Sequence, residues 1–437
     1  MSRGFIFDQT LCVNCKSCSA ACLLENNFKI KPRIIISNNP DTSLKLPVEH
    51  LSIACNHCEI PVCLYGCPVS AYYRDPATDA IILDGKKCIG CMYCNWNCPF
   101  DAPKYDPSER IAGKCHLCYT RTGTDLLPAC SSACPTGALS FGTIDEYDST
   151  IKPEWLPGSE LNPSIRFKEK LSDIPLKIFP ESLFGYERKN PLKSINILTT
   201  EWSLVLFSFI AMLSVSLISA SVIKGVLPDK AFFITISFLP GLISFFHLGK
   251  IFRAWRVFAN IKRSPLSREI SLYVIYLLVS CYSVISEIPW MLVCSSLIGL
   301  IFLFSIDSVY FYTAKSIRIF LHSGQTLLSA LLIISLLSDS ILPFTFIALI
   351  KVSFSVYGSL NKSERDENSV IRILSTGILI IGGAGFVSGK YYPKETLVIL
   401  IIGAEFLNRI LFYIDFEPDS IVKIIDKHIK KKLNEKE

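Results

Sequence analysis

The spacing of the cysteines constrains this chain more than any other feature of its sequence. Sixteen of the 18 cysteines lie between residues 12 and 134, and they form four groups of four. In every group three residues separate the third cysteine from the fourth, and a proline follows the fourth in all groups but the first. The groups are Cys12, Cys15, Cys18 and Cys22; Cys55, Cys58, Cys63 and Cys67; Cys88, Cys91, Cys94 and Cys98; and Cys115, Cys118, Cys130 and Cys134.

This spacing is typical of ligands for [4Fe–4S] clusters. Three thiolates of one group can bind one face of a cubane, while the fourth begins a helix that points elsewhere and binds the other cluster of a pair. Sixteen cysteines therefore predict four clusters. In tandem ferredoxin repeats the outer groups pair with each other, and so do the inner groups. The predicted sets are Cys12, Cys15, Cys18 and Cys134 (set one); Cys22, Cys115, Cys118 and Cys130 (set two); Cys55, Cys58, Cys63 and Cys98 (set three); and Cys67, Cys88, Cys91 and Cys94 (set four).

Zinc and disulfides are the alternative uses of so many cysteines. Zinc sites with four thiolate ligands use paired C-x2-C motifs, but they need neither a third cysteine nor the C-x3-C-P that follows here. The first residues, MSRGFIFDQTLC, contain no apolar segment and no Arg-Arg pair of an export signal. Disulfides, which form in oxidising compartments, are therefore not expected, and iron–sulfur clusters are the favoured prediction.

From Glu201 onward the sequence becomes strongly apolar, and the mean hydropathy of the chain is +0.40. Runs of about 18–22 residues can each cross the roughly 30 Å of a bilayer core as a helix. We predict such helices at residues 202–222, 231–249, 269–286, 288–310, 324–340, 341–359, 370–389 and 395–416. The predicted fold class is an α+β ferredoxin-like domain with tandem 2×[4Fe–4S] repeats, followed by an all-α polytopic bundle of about eight transmembrane helices.

Four regions follow from these patterns. Residues 1–145 form the cluster domain, with β-like runs at 4–8, 80–84 and 138–144. Residues 146–195 contain prolines but no cysteine and are interpreted as a connector that docks the first domain on the second. Residues 196–416 form the membrane anchor, and residues 417–437 form a basic tail, expected to be an exposed helix.

The sequences around the cysteines resemble a known family. CNHCEIPVCLYGCP, CIGCMYCNWNCPFDAPKY and KCHLCYTR followed by PACSSACPTGAL are similar to the iron–sulfur subunit of dimethyl sulfoxide reductase and its molybdoenzyme relatives, over about residues 3–145. Some relatives replace the second cysteine of the third group, but this chain keeps Cys91, so the resemblance implies a full cubane there.

The apolar half resembles the eight-helix anchor subunit of the same enzyme. The similar segments are Glu201-Trp202, His247-Leu248-Gly249, residues 266–270 and residues 408–413. In that family the two parts are usually separate chains. The resemblance implies an electron-transfer and anchor subunit, which takes electrons from menaquinol and passes them to a separate molybdopterin-containing catalytic subunit that reduces an acceptor such as dimethyl sulfoxide. We expect no catalytic centre for that acceptor in this chain.

His247 and Glu269 are the candidate quinol-binding residues. They lie at the predicted end of the second helix and start of the third, on the membrane face that the N-terminus shares. A neutral histidine can hydrogen-bond a quinol oxygen while a carboxylate accepts the proton. The alternative is that His247 is satisfied by backbone or lipid headgroups and that Glu269 is a helix-terminal charge.

Other polar residues of the apolar half are interpreted as structural. Glu405 and Arg409 are four residues apart in the last helix and are expected to pair. Lys351 has no partner that the sequence identifies. Trp202 is expected to be an interfacial aromatic residue. Cys281 and Cys294 are expected to be buried apolar residues.

The charge distribution bears on partners and on location. Residues 1–145 have no net charge, so the remainder carries the whole +6, which is common at membrane surfaces and does not indicate nucleic acid. The face shared with the N-terminus carries 17 Lys and Arg residues against four on the other. This predicts a multi-pass protein of the bacterial cytoplasmic (inner) membrane with its clusters in the cytoplasm. The resemblance points instead to the periplasm, and the basic loop could also dock on the cluster domain.

Two other functions remain open at this point. The same clusters could carry electrons in reverse, from a hydrogenase or dehydrogenase into the quinone pool. An ion-translocating redox module would need a chain of ionisable residues through the helices, and only Lys351, Glu405 and Arg409 lie well inside the predicted spans.

Overall fold

The structure is a computed structural model of the chain. It describes residues 3–37, 50–153, 156–168, 197–314, 325–360, 369–388, 393–415, 421 and 424. The chain divides into two compact units. The N-terminal unit comprises Met1–Pro191, Gly249–Arg263 and Pro418–Glu437, and the helical unit comprises Leu192–Leu248 and Ser264–Glu417.

Short strands frame the cysteine groups of the N-terminal unit. Strand β1 pairs antiparallel with β8 and parallel with β9, while β2–β3, β4–β5 and β6–β7 are antiparallel hairpins. The predicted β-like runs at 4–8, 80–84 and 138–144 are confirmed by β1, β5 and β8. The strands of the described residues are β1 (Arg3–Phe7), β2 (Ile34–Ser37), β3 (His50–Ile53), β4 (Tyr72–Arg74), β5 (Ile81–Leu83), β6 (Lys104–Asp106), β7 (Ile111–Gly113), β8 (Leu139–Thr143) and β9 (Ile165–Phe167).

An aromatic core lies against the three-stranded sheet. The ring of Phe5 meets that of Phe141 edge-on at 5.5 Å, and the ring of Phe7 meets that of Phe167 at 6.3 Å. Leu156 and other apolar residues of 156–168 pack in the same core. This part of the predicted connector therefore belongs to the N-terminal unit.

Five short helices carry or flank the cysteines. They are α1 (Ser17–Asn26), α2 (Val62–Gly66), α3 (Tyr93–Asn97), α4 (Tyr119–Thr122) and α5 (Ala129–Ser132). Helix α1 packs on α5, and α2 packs on α3. The first cysteine group is thus brought to the fourth, and the second to the third.

Two segments from far along the sequence complete the N-terminal unit. The connecting segment, Gly249–Arg263, contains a 3-10 helix at Ile251–Asn260. Near the end of the chain, Ile421 is fully buried in the aromatic core, with Ile424 packed beside it. The expectation that the tail is exposed is wrong for Ile421, because its apolar side chain fills a core that the N-terminal residues leave open.

The helical unit contains apolar helices close to the predicted positions. They are α6 (Ile197–Lys224), α7 (Lys230–Ser244), α8 (Pro265–Ser286), α9 (Pro289–Ala314), α10 (Thr326–Leu337), α11 (Ile341–Leu360), α12 (Ser369–Ser388) and α13 (Lys394–Asp415). Among the described residues five segments are long and apolar enough to cross a membrane, and they lie in α6, α7, α8, α9 and α13. The apolar parts of α10, α11 and α12 are shorter, so eight crossings stay a prediction.

Helix α7 ends at Ser244, five residues before its predicted end. Pro240 lies inside it, and a proline ring removes one backbone hydrogen bond and crowds the preceding turn. The Tyr273 hydroxyl accepts a hydrogen bond from Gly241 N (2.9 Å) and donates one to Ser237 O (2.8 Å). It thereby replaces a direct bond of the helix, in the way that an inserted side chain kinks a helix.

Helix α8 begins at Pro265, four residues before the predicted start. Ser264 caps it, because its hydroxyl accepts a hydrogen bond from Ser267 N (3.4 Å), and the proline occupies the first helical position. Glu269 therefore lies in the second turn, where it is buried, rather than at the helix terminus.

Candidate iron–sulfur sites and membrane site

The third cysteine of each group lies near the start of a short helix, so the expectation that the fourth cysteine begins a helix is wrong. Cys18 is in α1, Cys63 in α2, Cys94 in α3 and Cys130 in α5. Because the helices pack in the pairs α1–α5 and α2–α3, each predicted set draws its members from two groups that meet in space.

The loops before these helices turn their backbone N–H groups inward. Gly90 N donates a hydrogen bond to the Cys88 thiol (3.4 Å), and Leu117 N donates one to the Cys115 thiol (3.3 Å). Such turns form concave groups of N–H donors that hold anions, including iron–sulfur centres. The residues with left-handed backbone in these loops include Asn14 (φ 54°), His57 (45°), Gly90 (73°), Met92 (54°) and Leu117 (62°).

Set one surrounds a cavity. Cys12, Cys15, Cys18 and Cys134 all line it, together with apolar residues from the sheet and with Ser52. The Ser52 hydroxyl lies 3.2 Å from the Cys18 sulfur. The four members of set one are thus brought together, and Cys15 is the exposed one.

The members of sets three and four are also neighbours. Burial raises the pKa of Cys58, and the thiols of Cys55, Cys98 and Cys63 raise it further. In set four, burial likewise raises the pKa of Cys67, Cys91 and Cys94, and the Cys88 thiol raises all three further.

Set two follows the same pattern. Burial raises the pKa of Cys22 to about 12, with Cys130 the next contribution and Cys118 a smaller one. Cys22 and Cys130 in turn raise the pKa of Cys115, after burial. The structure thus brings together each predicted set, while the role of the cysteines as ligands stays a prediction.

The cysteine sets fit iron–sulfur clusters better than other uses of thiols. All 18 cysteines are free, so none forms a disulfide. Buried polar atoms without a hydrogen-bond partner cluster in the cysteine loops, and among them are Asn56 Nδ2, His57 Nε2 and His116 Nδ1. A bound group with acceptor atoms would satisfy such donors.

The connecting segment is hydrogen-bonded to the loops of set four. Arg253 Nη1 donates hydrogen bonds to Gly85 O (2.8 Å) and to Cys88 O (3.1 Å). Asn260 Nδ2 donates to Cys67 O (2.8 Å), and Lys250 N donates to Ile89 O (3.0 Å). The basic loop therefore docks on the cluster domain, as one of the sequence alternatives expected.

In the helical unit, His247 lies in a 3-10 turn, Phe245–His247, that continues α7. Its side chain is half-buried, and its Nδ1 atom is buried without a hydrogen-bond partner in the described residues. Neither a hydrogen bond nor an ion pair joins it to Glu269 there. The charged neighbours of Glu269 are Arg409 and Asp307, which the sequence did not suggest.

The expected pair of Glu405 and Arg409 is not formed. Glu405 Oε2 instead lies 2.6 Å from Lys351 Nζ, which also donates to the Ser329 hydroxyl (2.6 Å). Arg409 Nε donates to the Ser208 hydroxyl (2.7 Å), and its guanidinium lies over three aromatic rings, those of Tyr310, Phe412 and Tyr413. Lys351 lies closer to the carboxylate because α11 and α13 present the two side chains to the same interior space.

Three further predictions concern single residues of the helical unit. Trp202 is 43% exposed, and its ring is tilted against that of Phe246 with centroids 5.6 Å apart, which suits an interfacial residue. Cys281 and Cys294 are half-buried rather than fully buried.

Asp307 is a buried carboxylate that the sequence reasoning missed. The available signal was a lone carboxylate in an apolar run, because intramembrane ionisable groups are functional candidates by default. In the structure it accepts hydrogen bonds from Thr326 N (2.9 Å) and Leu327 N (3.0 Å) at the start of α10.

Comparison with known proteins places the similarity in the N-terminal third. Residues 47–144 match a family model described as a 4Fe–4S dicluster domain. The iron–sulfur subunit of anaerobic dimethyl sulfoxide reductase from Haemophilus influenzae is 36% identical, over 33% of this chain and 75% of that protein. A subunit of sulfite dehydrogenase from Allochromatium vinosum is 31% identical, over 34% and 71%. The hydrogenase-2 operon protein HybA from Escherichia coli O157:H7 is 34% identical, over 36% and 58%.

Proposed function

Because this protein belongs to the family of iron–sulfur subunits that includes the one from anaerobic dimethyl sulfoxide reductase, we propose that it is the electron-transfer and membrane-anchor subunit of a quinol-linked molybdopterin oxidoreductase. It takes electrons from menaquinol and delivers them through four [4Fe–4S] clusters to a separate catalytic subunit. That subunit reduces a terminal acceptor such as dimethyl sulfoxide.

The gathering of sixteen cysteines into four sets carries this proposal. Each set combines thiols from two groups, and backbone N–H groups point at several of them. Bound clusters supply one-electron transfer without bond chemistry. The residues of this chain hold the clusters, exclude water from the inner sets and fix the order in which the sets follow one another.

The packing of two distant segments supports eight membrane crossings. Of the five long apolar segments, two precede the connecting segment and three lie between it and residue 421. The connecting segment and Ile421 both pack within the N-terminal unit. A single folded unit lies on one side of a membrane. The chain must therefore cross the membrane an even number of times between the connecting segment and Ile421. If α10, α11 and α12 also cross, that number is six and the total is eight.

The connecting segment has the composition of a membrane interface. Phe252 is 98% exposed and Trp255 is 69% exposed, while Arg253 and Arg256 bind backbone carbonyls of the N-terminal unit. Exposed aromatic residues on an amphipathic segment favour a position at the lipid surface. This supports anchoring of the cluster domain to lipid and contact with the quinone pool.

The quinol site of this proposal is built on His247 and Glu269. The buried Nδ1 of His247 lacks a partner among the described residues, and a quinol hydroxyl can supply one. His247 lies three residues before Lys250, whose N–H binds Ile89 O between two cysteines of set four. We propose that set four receives the electrons from the quinol, because the connecting segment that follows His247 in the sequence binds the loops of this set.

The opposite end of the proposed electron path is set one. Cys15 is exposed, and Val13, an apolar residue that lines the set-one cavity, is 63% exposed. Exposed apolar residues next to a redox centre suit the docking of a partner protein. The catalytic subunit is proposed to bind here.

Two points of the proposal have competing versions. The names of the sulfite dehydrogenase subunit and the hydrogenase-2 operon protein favour a second candidate, in which a dehydrogenase or hydrogenase sends electrons through the same sets into quinone.

For the location of the cluster domain we propose the cytoplasmic face of the membrane. Five basic residues belong to the docked connecting segment, and without them twelve remain on that face against four.

A redox titration followed by EPR tests the proposal. The chain is purified in detergent, with and without a menaquinol analogue, as wild type, His247→Ala and His322→Ala. His322 is the other histidine between residues 201 and 416, and its variant is the control. We expect four cubane signals, one of which responds to the analogue in wild type and in the control but not in His247→Ala. Four signals that never respond would reject the quinol site, and fewer than four signals or bound zinc would reject the cluster assignment.

A further inference from the structure

Two cations are buried inside the N-terminal unit, Arg33 at 1% exposure and Lys114 at 4%. Neither has a carboxylate within ion-pair distance among the residues that the structure describes. Burying a charge is costly unless an opposite charge balances it. The balancing anion must therefore come from the cysteine thiols, which are the ionisable groups that act on these two side chains, or from what those thiols bind.

Arg33 lies between sets one and two. Its Nη1 donates hydrogen bonds to the backbone oxygen (3.2 Å) and the hydroxyl (3.1 Å) of Ser52, and that hydroxyl lies 3.2 Å from Cys18 of set one. On the other side it acts on Cys130 of set two, where burial raises the pKa of the thiol and the guanidinium opposes the rise. Its Nε and Nη2 are buried without a hydrogen-bond partner in the described part of the chain.

Lys114 lies between sets two and three. Its ammonium donates hydrogen bonds to Ile81 O and to Cys115 O (2.9 Å), and it lies 3.5 Å from the sulfur of Cys55. Cys115 belongs to set two and Cys55 to set three. The ammonium also lies over the ring of Tyr72, 5.8 Å from its centroid.

We propose that Arg33 and Lys114 are fixed positive charges that raise the reduction potentials of the iron–sulfur sites they separate. Arg33 acts on sets one and two, and Lys114 acts on sets two and three. The inference rests on the proposed function, since it requires a cluster in each set. A reduced cluster carries one more negative charge than an oxidised one, so a buried cation stabilises the reduced form. Set two borders both cations, and among the described residues no hydrogen bond joins either cation to a cysteine of set four.

A reductive titration with dithionite, followed by EPR, tests this inference without assigning the signals. The proteins are wild type, Arg33→Gln, Lys114→Met and Lys16→Met. We expect one signal to shift to lower potential in both Arg33→Gln and Lys114→Met, one in Arg33→Gln only, one in Lys114→Met only and one in neither. Each shift is at least tenfold in the ratio of oxidised to reduced cluster, which is 59 mV for one electron.

Lys16→Met is the matched control. Lys16 lies between Cys15 and Cys18 but is exposed. Because water and salt screen an exposed charge, its removal leaves all four signals in place. A shift in Lys16→Met as large as in the buried variants would overturn the inference.

Other outcomes separate this inference from the proposed function. Four wild-type signals whose potentials stay unchanged, or all shift equally, in both buried variants would overturn the inference alone. Fewer than four wild-type signals would overturn the proposed function. If either Arg33→Gln or Lys114→Met loses iron, the other variant alone is compared with the shifts expected for it: two signals move to lower potential and two do not. If both lose iron, Arg33→Lys and Lys114→Arg decide: iron retained at wild-type potentials supports the role of charge, and iron lost overturns it.

Discussion

The two units of this protein balance their buried charges in different ways. In the helical unit Lys351 and Glu405 neutralise each other, and Asp307 caps α10 through two backbone N–H groups. In the described residues of the N-terminal unit, Arg33 and Lys114 have no carboxylate partner. Lys351 is therefore balanced by a carboxylate of the protein itself, whereas Arg33 and Lys114 require an anion that the N-terminal unit binds.

The largest effect that would test this difference is the loss of a cluster ligand. Cys94→Ser removes a buried member of set four, and we expect the loss of about one cluster, or about four iron atoms, per chain. Cys281→Ser changes a half-buried thiol of the helical unit and serves as the control. Iron analysis measures both, and an equal loss of iron in the two variants would contradict the assignment of thiols to clusters.

The next largest effect concerns the helical unit. Lys351→Met leaves Glu405 buried and unpaired, and removing one partner of a buried pair costs about 3–5 kcal/mol in the free energy of unfolding. The double variant Lys351→Met/Glu405→Gln should recover most of that loss, because no charge is left unbalanced. Denaturant unfolding in detergent, followed by circular dichroism, measures these changes.

Asp339 provides the control for the buried pair. It pairs with Lys224 (2.9 Å) and with Lys394, but its side chain is 51% exposed. Asp339→Asn should change the free energy of unfolding by less than about 1 kcal/mol, since exposed ion pairs contribute little. If Asp339→Asn destabilised the protein as much as Lys351→Met, the helical unit would not depend on its interior pair.

The smallest effect concerns the contact between the connecting segment and the set-four loop. A Cβ at Gly249 would collide with the carbonyl oxygen of Arg110 and lie 3.3 Å from the Cα of Gly90. Gly249→Ala should therefore destabilise the N-terminal unit by about 1–3 kcal/mol. Hydrogen–deuterium exchange at the Lys250 amide, which binds Ile89 O, reports the local loss of contact.

Gly377→Ala is the matched control for that variant. Gly377 lies in α12, where a Cβ would meet no other atom within 4 Å. Alanine is the better helix former, so this change should be neutral or stabilise the protein by up to about 1 kcal/mol. Faster exchange at Lys250 in Gly377→Ala as well would show that the effect is not local to the connecting segment.

The difference between local patterns and contacts across the fold explains which features the sequence could predict. The cysteine sets could be proposed because ligand spacing is local, with two or three residues between most members of a group. The apolar helices were placed to within a few residues for a similar reason. Helix α7 ended early because Pro240 acts together with Tyr273 of another helix, which no local pattern shows.

Contacts between residues distant in sequence were predicted poorly. Glu405 and Arg409 were expected to pair because they are four residues apart on one helix, yet Lys351 of α11 lies nearer in space. The burial of Ile421 and the docking of Arg253 on Cys88 O join residues that are more than 150 positions apart. Such contacts depend on the tertiary packing, which spacing along the chain does not encode.

The burial of Ile421 also has a consequence for synthesis on the ribosome. The aromatic core beside set one contains Phe5 and Phe7, which are translated long before Ile421 of the same core. A nascent chain that has not reached residue 421 lacks one of the side chains that close this core. This core of the N-terminal unit can therefore close only after α13 has been made. Its closure then shows that the helices of the helical unit have already been translated.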